Sequence, residues 1–392
     1  MLAVYLSPVY IIINGCLLFQ IHRWLGACSG LFRKTWARAG ISLGYAFLAS
    51  SVPLAFFLPA GWAGRVMKII GNNWLGILFY LLLSVLMADF LWFFSFRLRK
   101  RKAGRRFHVV AGGICAAVVV TLSLWGIYNA HVIHVTPYDI TVEKDGGNRD
   151  SINVILVADL HLGYQIGMAH MSAMVEKINE QNADVVVVAG DIFDNEYDAI
   201  ERPEELAEAL RGIRSKYGVY ACYGNHDIEE KILAGFTFGG SEEKKSSAKM
   251  DEFLKKAGIR LLRDEKVLID DSFYLYGRPD AQRPGRGISK RKTAEELVEG
   301  MDVKKPVIVI DHEPKEFDRL SAAGVDVDLC GHTHDGQIFP VNLITALLWE
   351  NSYGYKKKGN LHTIVTSGVG LFGPNMRIGT VAEICPIRIH FQ

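Results

Sequence analysis

Residues 152–163 read INVILVADLHLG, and residues 184–194 read DVVVVAGDIFD. Each is a short β-branched run that breaks off into acid, glycine or histidine. A strand that is apolar at every position is buried on both faces, which places it inside a layered α/β domain. Between the two runs, Met171, Met174, Val175 and Ile178 recur at helical spacing, so residues 168–181 are expected to form a helix covering the sheet. The alternation continues outward. Strands are expected at 219–223, 259–264, 267–269, 273–276, 306–310, 325–329, 362–366 and 380–389. Helices are expected at 203–216, up to 258, at 293–300 and at 315–323. Apolar strands alternating with amphipathic helices indicate an α/β domain over residues 151–392.

The polar residues collect where these strands end. The first strand runs into Asp159 and His161, the second into Gly190, Asp191 and Asp194, and the third into Gly224, Asn225, His226 and Asp227. Later strands run into Asp311–His312 and into Gly331, His332, Thr333, His334 and Asp335. Any one of these has an ordinary explanation as turn chemistry. Five at the same edge of an α/β sheet, where such sheets carry their ligands, do not. Oxygen and imidazole donors without cysteine suit open sites for Mn, Fe or Zn rather than a closed structural zinc. Two such ions roughly 3.5–4 Å apart can clamp a phosphate ester. The glycines at 190, 224 and 331 permit tight turns and close backbone approach.

The ordered blocks D-x-H, G-D-x-x-D, G-N-H-D, a lone His and G-H-x-H resemble the calcineurin-like metallophosphoesterase superfamily. The resemblance implies its four-layer α/β/β/α sandwich, two divalent metal ions and hydrolysis of phosphoester bonds by a bridging hydroxide. Carried onto this chain, Asp159, His161 and His334 would hold the first metal, and Asp191 would bridge both. Asn225, His312 and His332 would complete the second. His226 would bind no metal but would bond the phosphate and protonate the leaving oxygen, with Asp194 and Asp227 orienting the ligands. V-A-D-L-H-L-G, G-H-T-H-D-G-Q and the stretch 368–379 (GVGLFGPNMRIG) are similar to the bacterial membrane-anchored branch that includes YkuE-type phosphodiesterases. The last stretch is expected near the mouth of the metal site.

Residues 1–128 have a different composition. Four apolar stretches, at 4–21, 40–58, 74–96 and 109–128, are long enough to cross a bilayer, which takes about 20 residues. The first lacks the basic lead and small-residue cleavage site of a signal peptide, so it is expected to be retained. Trp62, Trp74, Trp92 and Trp125 fall toward span ends, where indoles favour the interface. Asp89 is the single acid within a span, with helix packing and a transport path both open as roles. The first loop carries Arg23, Arg33, Lys34 and Arg38, and the third reads RLRKRKAGRR, whereas the second holds Arg65 and Lys68 alone. Positive charge stays cytoplasmic. Loops one and three are therefore expected inside, and everything after the fourth span outside. Residues 129–150 read as a connector with an edge strand at 138–143.

The remaining features bear on partners. Lys and Arg number 44 against 42 Asp and Glu, and this net charge of +2 says nothing of nucleic acid by itself, but the near-neutral globular part argues against a nucleic-acid partner. Basic loops between spans suit lipid headgroups instead. Six cysteines without a C-x-x-C pair fit buried free thiols. The basic segment 278–292 reads either as a clamp for a second phosphate or as a solvated loop, and 241–249 as a solvated loop. Residues 344–349 (ITALLW) read either as core or as a patch touching lipid or a lipid-linked substrate. The chain is thus expected to be a multi-pass cell-membrane enzyme acting on a membrane or cell-envelope phosphoester, a reading strengthened by resemblance to UDP-2,3-diacylglucosamine hydrolases. The alternative is a membrane receptor or transporter with a phosphoesterase-like sensor domain.

Overall fold

The computed structural model describes residues 2–59, 61–97, 104–230, 232–233, 236–237 and 247–392. Arg99, Lys100, Arg101 and Lys102 of the third basic loop, and most of the charged stretch 241–249, lie outside these residues. The described chain forms two compact units. The first holds helices α1 (Leu2–Cys28), α2 (Thr35–Phe57), α3 (Trp62–Trp92) and α4 (Arg105–Ala130). It also takes residues 373–376. Each of the four helices contains a stretch long and apolar enough to span a membrane. Leu17, Tyr45, Val52, Trp74 and Leu78 form the bundle's core. The Tyr45 hydroxyl donates to Asn14 Oδ1 at 3.0 Å, and its ring meets Trp74 edge-on at 5.0 Å. Trp74 is only 4% exposed, so it packs inside the bundle rather than anchoring an interface. The reason is that α3 begins at Trp62, which moves Trp74 to mid-helix and brings Arg65 and Lys68 into the first turns of the span.

The second unit is built on two sheets. The strands are β1 (Ile133–Val135), β2 (Tyr138–Val142), β3 (Ser151–Val157), β4 (Val185–Ala189), β5 (Val219–Cys222), β6 (Ile232–Leu233), β7 (Phe236–Thr237), β8 (Ile259–Leu261), β9 (Glu265–Ile269), β10 (Phe273–Gly277), β11 (Val307–Ile310), β12 (Val327–Cys330), β13 (Gly354–Lys358), β14 (Leu361–Val365) and β15 (Ala382–Phe391). The short β6–β7 pair groups with the helical unit. One sheet runs β1-β15-β3-β4-β5-β8, with β2 also on β15, and the other runs β13-β14-β12-β11-β10-β9. The stretch read as a connector therefore enters the first sheet through β1 and β2, both parallel to β15. The central neighbours β3, β4, β5 and β8 are parallel, as are β10, β11, β12 and β14. Their C-terminal ends in each sheet thus share one edge.

Strand periodicity sorts the valines of β4 between two cores. Val185, Val187 and Ala189 join Leu156, Ile308, Ile310, Leu329 and Ile364 between the sheets. Val186 and Val188 face the other way, onto Met171, Met174, Ile178, Leu206, Leu210 and Phe253. These last belong to α5 (Met168–Asn179), α6 (Pro203–Arg211) and α7 (Ala248–Lys256). Beyond the second sheet, Val307 and Val309 pack on Leu297 of α8 (Ala294–Leu297) and on Phe317 and Leu320 of α9 (Phe317–Ala322). The order is therefore helices, sheet, sheet, helices. α6 is shorter than its pattern suggested, because Gly212 follows Arg211 and the chain leaves the helix there. Among the described residues, the short strands β1, β6 and β7, the edge strand β13 with exposed Lys356 and Lys357, and α10 (Val341–Leu348) escaped the sequence pattern. All six cysteines are free, and Cys222, Cys330 and Cys385 are buried.

Candidate metal centre

Both sheets contribute to one cluster of side chains. β3, β4 and β5 lead into Asp159, His161, Asp191, Asn225 and His226, while β11 and β12 lead into His312, His332 and His334. Backbone bonds lock the loops together: Asp159 N–H donates to Gly190 O and His161 N–H to Asp191 O, each at 3.0 Å. The geometry there is unusual. Asp159, His161, Asp191, His332 and His334 all have positive φ, between 46° and 73°. Non-glycine residues in this left-handed region cost on the order of 1 kcal/mol each and concentrate at functional sites. The surrounding fold holds them there, so their side chains point from fixed positions.

The side chains form two groups. Asp159, His161 and His334 each present a donor atom within 4.8 Å of the others, and Asp191, His312 and His332 do the same. Asn225 Oδ1 joins the second group, 3.0 Å from His312 Nε2 and 2.9 Å from His332 Nδ1. Asp191 Oδ2 lies 3.1 Å from His312 Nε2 and 3.9 Å from His161 Nε2, so one oxygen reaches toward both groups. All seven residues singled out in the sequence as metal ligands therefore meet. His226 adjoins them: its backbone N–H donates to Asp191 Oδ1 at 2.7 Å, and its ring lies 5.3 Å from that of His161.

The donor set fits divalent cations. Asp159 and Asp191 are both buried, and two carboxylates away from water need a compensating charge. Burial pushes Asp159 up to about 6, the response of an acid whose counter-charge is insufficient. Burial also opposes ionisation of Asp191, but His312, His226 and His161 outweigh it and hold that carboxyl well below its usual range. His161 Nε2 and His334 Nε2 face one another at 3.0 Å, a pair of lone-pair donors converging on one point. Glycine keeps the cradle open: a Cβ on Gly190, at φ +78°, would sit 2.6 Å from His312 Nδ1, and one on Gly331 would sit 2.7 Å from Asp159 Oδ2.

The supporting residues divide between those expected and those the sequence did not reveal. Asp227 accepts from the N–H groups of Phe193 and Gly224, at 2.9 and 2.7 Å, tying the second and third loops together. Asp194 Oδ1 lies 3.7 Å from His161 Nδ1. Asn195 was not anticipated, yet its side-chain oxygen hydrogen-bonds His226 Nδ1, and its backbone N–H donates to His226 O. A possible signal was its position right after the G-D-x-x-D block, in GDIFDN. Phe372, in the expected loop, lies 4.8 Å from the His226 ring and 5.6 Å from His161. Buried Arg377 shapes that loop by donating to the carbonyls of Ser367, Gly370 and Val381. In the basic segment, Arg278 and Arg291 both pair with Asp311, at 2.6 and 3.0 Å, and with Glu316. They brace the strand end carrying His312 and are committed within the protein. Arg283 donates to Asn225 O at 2.9 Å.

Asn195→Ala should lower kcat about 10- to 100-fold, the usual effect of losing an orienting partner, with little change in metal content. Asn195→Asp, which keeps an acceptor for Nδ1, should recover most of that loss. Steady-state kinetics on the three proteins checks it.

Comparison with known proteins agrees with this geometry. Residues 152–336 match the calcineurin-like phosphoesterase family. A zebrafish (Danio rerio) transmembrane protein with metallophosphoesterase domain is 28% identical over 80% of this chain and 74% of its own. A metallophosphoesterase of Aquifex aeolicus is 28% identical over 69% of this chain and 97% of its own. The Bacillus subtilis metallophosphoesterase YkuE is 24% identical over 65% and 84%. Together with the four apolar helices, these matches describe a membrane protein. Residues 152–336 thus carry a calcineurin-like phosphoesterase domain, and the relatives that share it are named metallophosphoesterases.

Proposed function

We propose that the two groups each take a divalent cation, sharing Asp191, and that the chain hydrolyses a phosphodiester or pyrophosphate of the membrane or cell envelope. The supporting observation is the position of Asp191 Oδ2 toward both donor groups, with His226 fixed beside it. Asp159, His161 and His334 would hold one ion, and Asn225, His312 and His332 the other. Such ions supply Lewis acidity, neutralising phosphate charge and making water a nucleophile at neutral pH. Manganese, iron and zinc all suit this donor set.

The remaining chemistry falls to the chain. In the overall reaction a water oxygen joins phosphorus, the bond to the leaving oxygen breaks, and that oxygen needs a proton. With Nδ1 committed to Asn195, His226 has Nε2 for this transfer. Burial holds its imidazole down to about 4, so it is neutral at rest. An anionic phosphate alongside favours the protonated form, arming the acid when substrate is present. Phe372 shields the three imidazoles it touches from water. Purified full-length protein with Mn²⁺ should cleave bis-p-nitrophenyl phosphate, and a failure to do so with any of the three metals would sink this reading.

The charged loops support an extracytoplasmic catalytic domain. Arg33 and Lys34 lie between α1 and α2, with Arg23 and Arg38 in the flanking ends of those helices, and the basic stretch 97–106 joins α3 to the start of α4. Alkaline phosphatase fused after Gln392 should be active, whereas a fluorescent protein that matures only in the cytoplasm should be dark. The opposite pattern would reverse the topology.

A further inference from the structure

The chain leaves the metal centre at His334 and returns to it at Trp349. On leaving, it makes a turn at His334–Gly336, passes the Phe339–Pro340 cis peptide and forms α10. On returning, the Trp349 ring packs edge-on with His332 at 5.1 Å, and Lys315 Nζ lies over the Trp349 ring, also 5.1 Å from its centre. The excursion contains no charge from Ile338 to Trp349. Its helix should be core by composition, yet it is not. Leu343 is 56% exposed, Ile344 55%, Leu347 86% and Leu348 76%, with Phe339 at 46% just before the helix. Thr345 is the residue of α10 that turns inward, donating to Val341 O. Large aliphatics gathered on one exposed helix mark an interaction surface rather than scattered surface leucines.

Resting on the phosphoesterase reading above, we propose that α10 inserts into the lipid leaflet and draws a membrane-embedded amphiphile to the metal centre, the substrate being a phosphoester that carries an aliphatic chain. Three features favour lipid over a protein partner. First, the chain is a membrane protein, and only His131 and Val132 separate the end of α4 from β1, so the tether is two residues long. A short tether keeps lipid at a high effective concentration. Second, the apolar helix is followed in the chain by Trp349 and by exposed Tyr353 and Tyr355, side chains that favour the headgroup level. Third, the strand that follows exposes Lys357 to anionic headgroups, with Lys356 exposed beside it and reaching Glu350, while Lys358 pairs with Asp318 and Glu350. An apolar face with an aromatic and basic border is the pattern of a helix lying in an interface. Trp349 then links the two functions, since it ends the lipid-facing helix and touches a metal-site imidazole.

The test uses the full chain reconstituted in phosphatidylcholine–phosphatidylglycerol vesicles with Mn²⁺. Two probes share one leaving group: soluble bis-p-nitrophenyl phosphate, and hexadecyl p-nitrophenyl phosphate carried in the vesicles. L347E/L348E should lower the rate on the hexadecyl probe about tenfold or more, while the soluble rate stays within about twofold. Equal loss on both probes by the milder pair L347S/L348S, or no loss on either, overturns the proposal. A second readout is independent of catalysis. An environment-sensitive fluorophore on Leu347→Cys, with the labelled parent chain as background, should be quenched by nitroxide-bearing lipid and shielded from aqueous iodide. Iodide quenching without lipid quenching overturns insertion. If the parent chain cleaves neither probe, the phosphoesterase reading fails while the fluorophore still decides whether α10 enters lipid.

Discussion

Asp191→Asn should reduce kcat/KM with Mn²⁺ by about 10³-fold or more and reduce the bound metal from about two ions per chain to about one or fewer. Asp191 is the side chain on which the two donor groups converge. Its Oδ2 is 3.1 Å from His312 Nε2 and 3.9 Å from His161 Nε2, and its Oδ1 accepts the His226 backbone N–H. Asparagine preserves the shape and one oxygen, but it removes the charge and puts an NH₂ where a ligand is needed. A shared carboxylate also sets the spacing of two cations, and the several kcal/mol that a metal pair contributes at a phosphate depends on that spacing. Loss of fold does not account for the effect. Without metal, the Asp191 carboxylate is favoured by His312, His226 and His161 while it repels buried Asp159, so its removal takes away a pairing as well as a repulsion. Circular dichroism and cooperative thermal unfolding in a chelator should show the variant folded, while elemental analysis shows the metal deficit. A variant that keeps two ions and the parent rate would remove Asp191 from the centre.

Much of this was legible in the sequence, for a physical reason. β4, β5 and β11, and β3 beyond Asn153, are apolar because they lie between layers, and β12 is buried throughout despite Asp328, so the strand ends are marked by a change to clustered polar residues. Parallel connection puts those ends on one edge, and residues as distant as Asp159 and His334 meet without any long-range information. The backbone strain was not legible. Nothing in D-L-H or H-T-H announces that Asp159, His161, His332 and His334 are left-handed, since only the assembled loops force it. Asn195 and Phe372 were missed because their roles come from loop placement rather than from a local pattern.

Where the sequence allowed two readings, tertiary context decided. Arg278 and Arg291 look like a phosphate clamp in a Gly/Pro-broken basic loop, but Asp311, next to His312, takes both. Buried charge demands a partner, and an internal one is always available at full occupancy. The apolar run 344–349 looks like core because its composition matches core. Its exposure follows from its position outside the two sheets, where no layer of the described residues covers it. Trp74 reversed in the other direction, from interface anchor to bundle core, because the helix starts at Trp62.

His226→Gln should lower kcat about 10²- to 10⁴-fold on a diester with an alkyl leaving group, but by roughly tenfold or less on bis-p-nitrophenyl phosphate, with metal content unchanged. The difference tests the role. A nitrophenolate departs without a proton, whereas an alkoxide requires one, so a general acid matters only for the second. His226 is placed for that task. Its Nδ1 is held by Asn195, its backbone is held by Asp191 Oδ1, and its ring rests on Phe372. It lies outside both donor groups, which explains why the metal should stay. Glutamine keeps polar length and can still hydrogen-bond a phosphate oxygen, so any loss common to both substrates measures binding and the excess measures proton transfer. An equal loss on the two substrates would make His226 a phosphate-binding residue. A loss of metal would place it among the ligands. The same substrate pair applied to Asn195→Ala should give a smaller split in the same direction, because Asn195 acts through the imidazole and touches no leaving group.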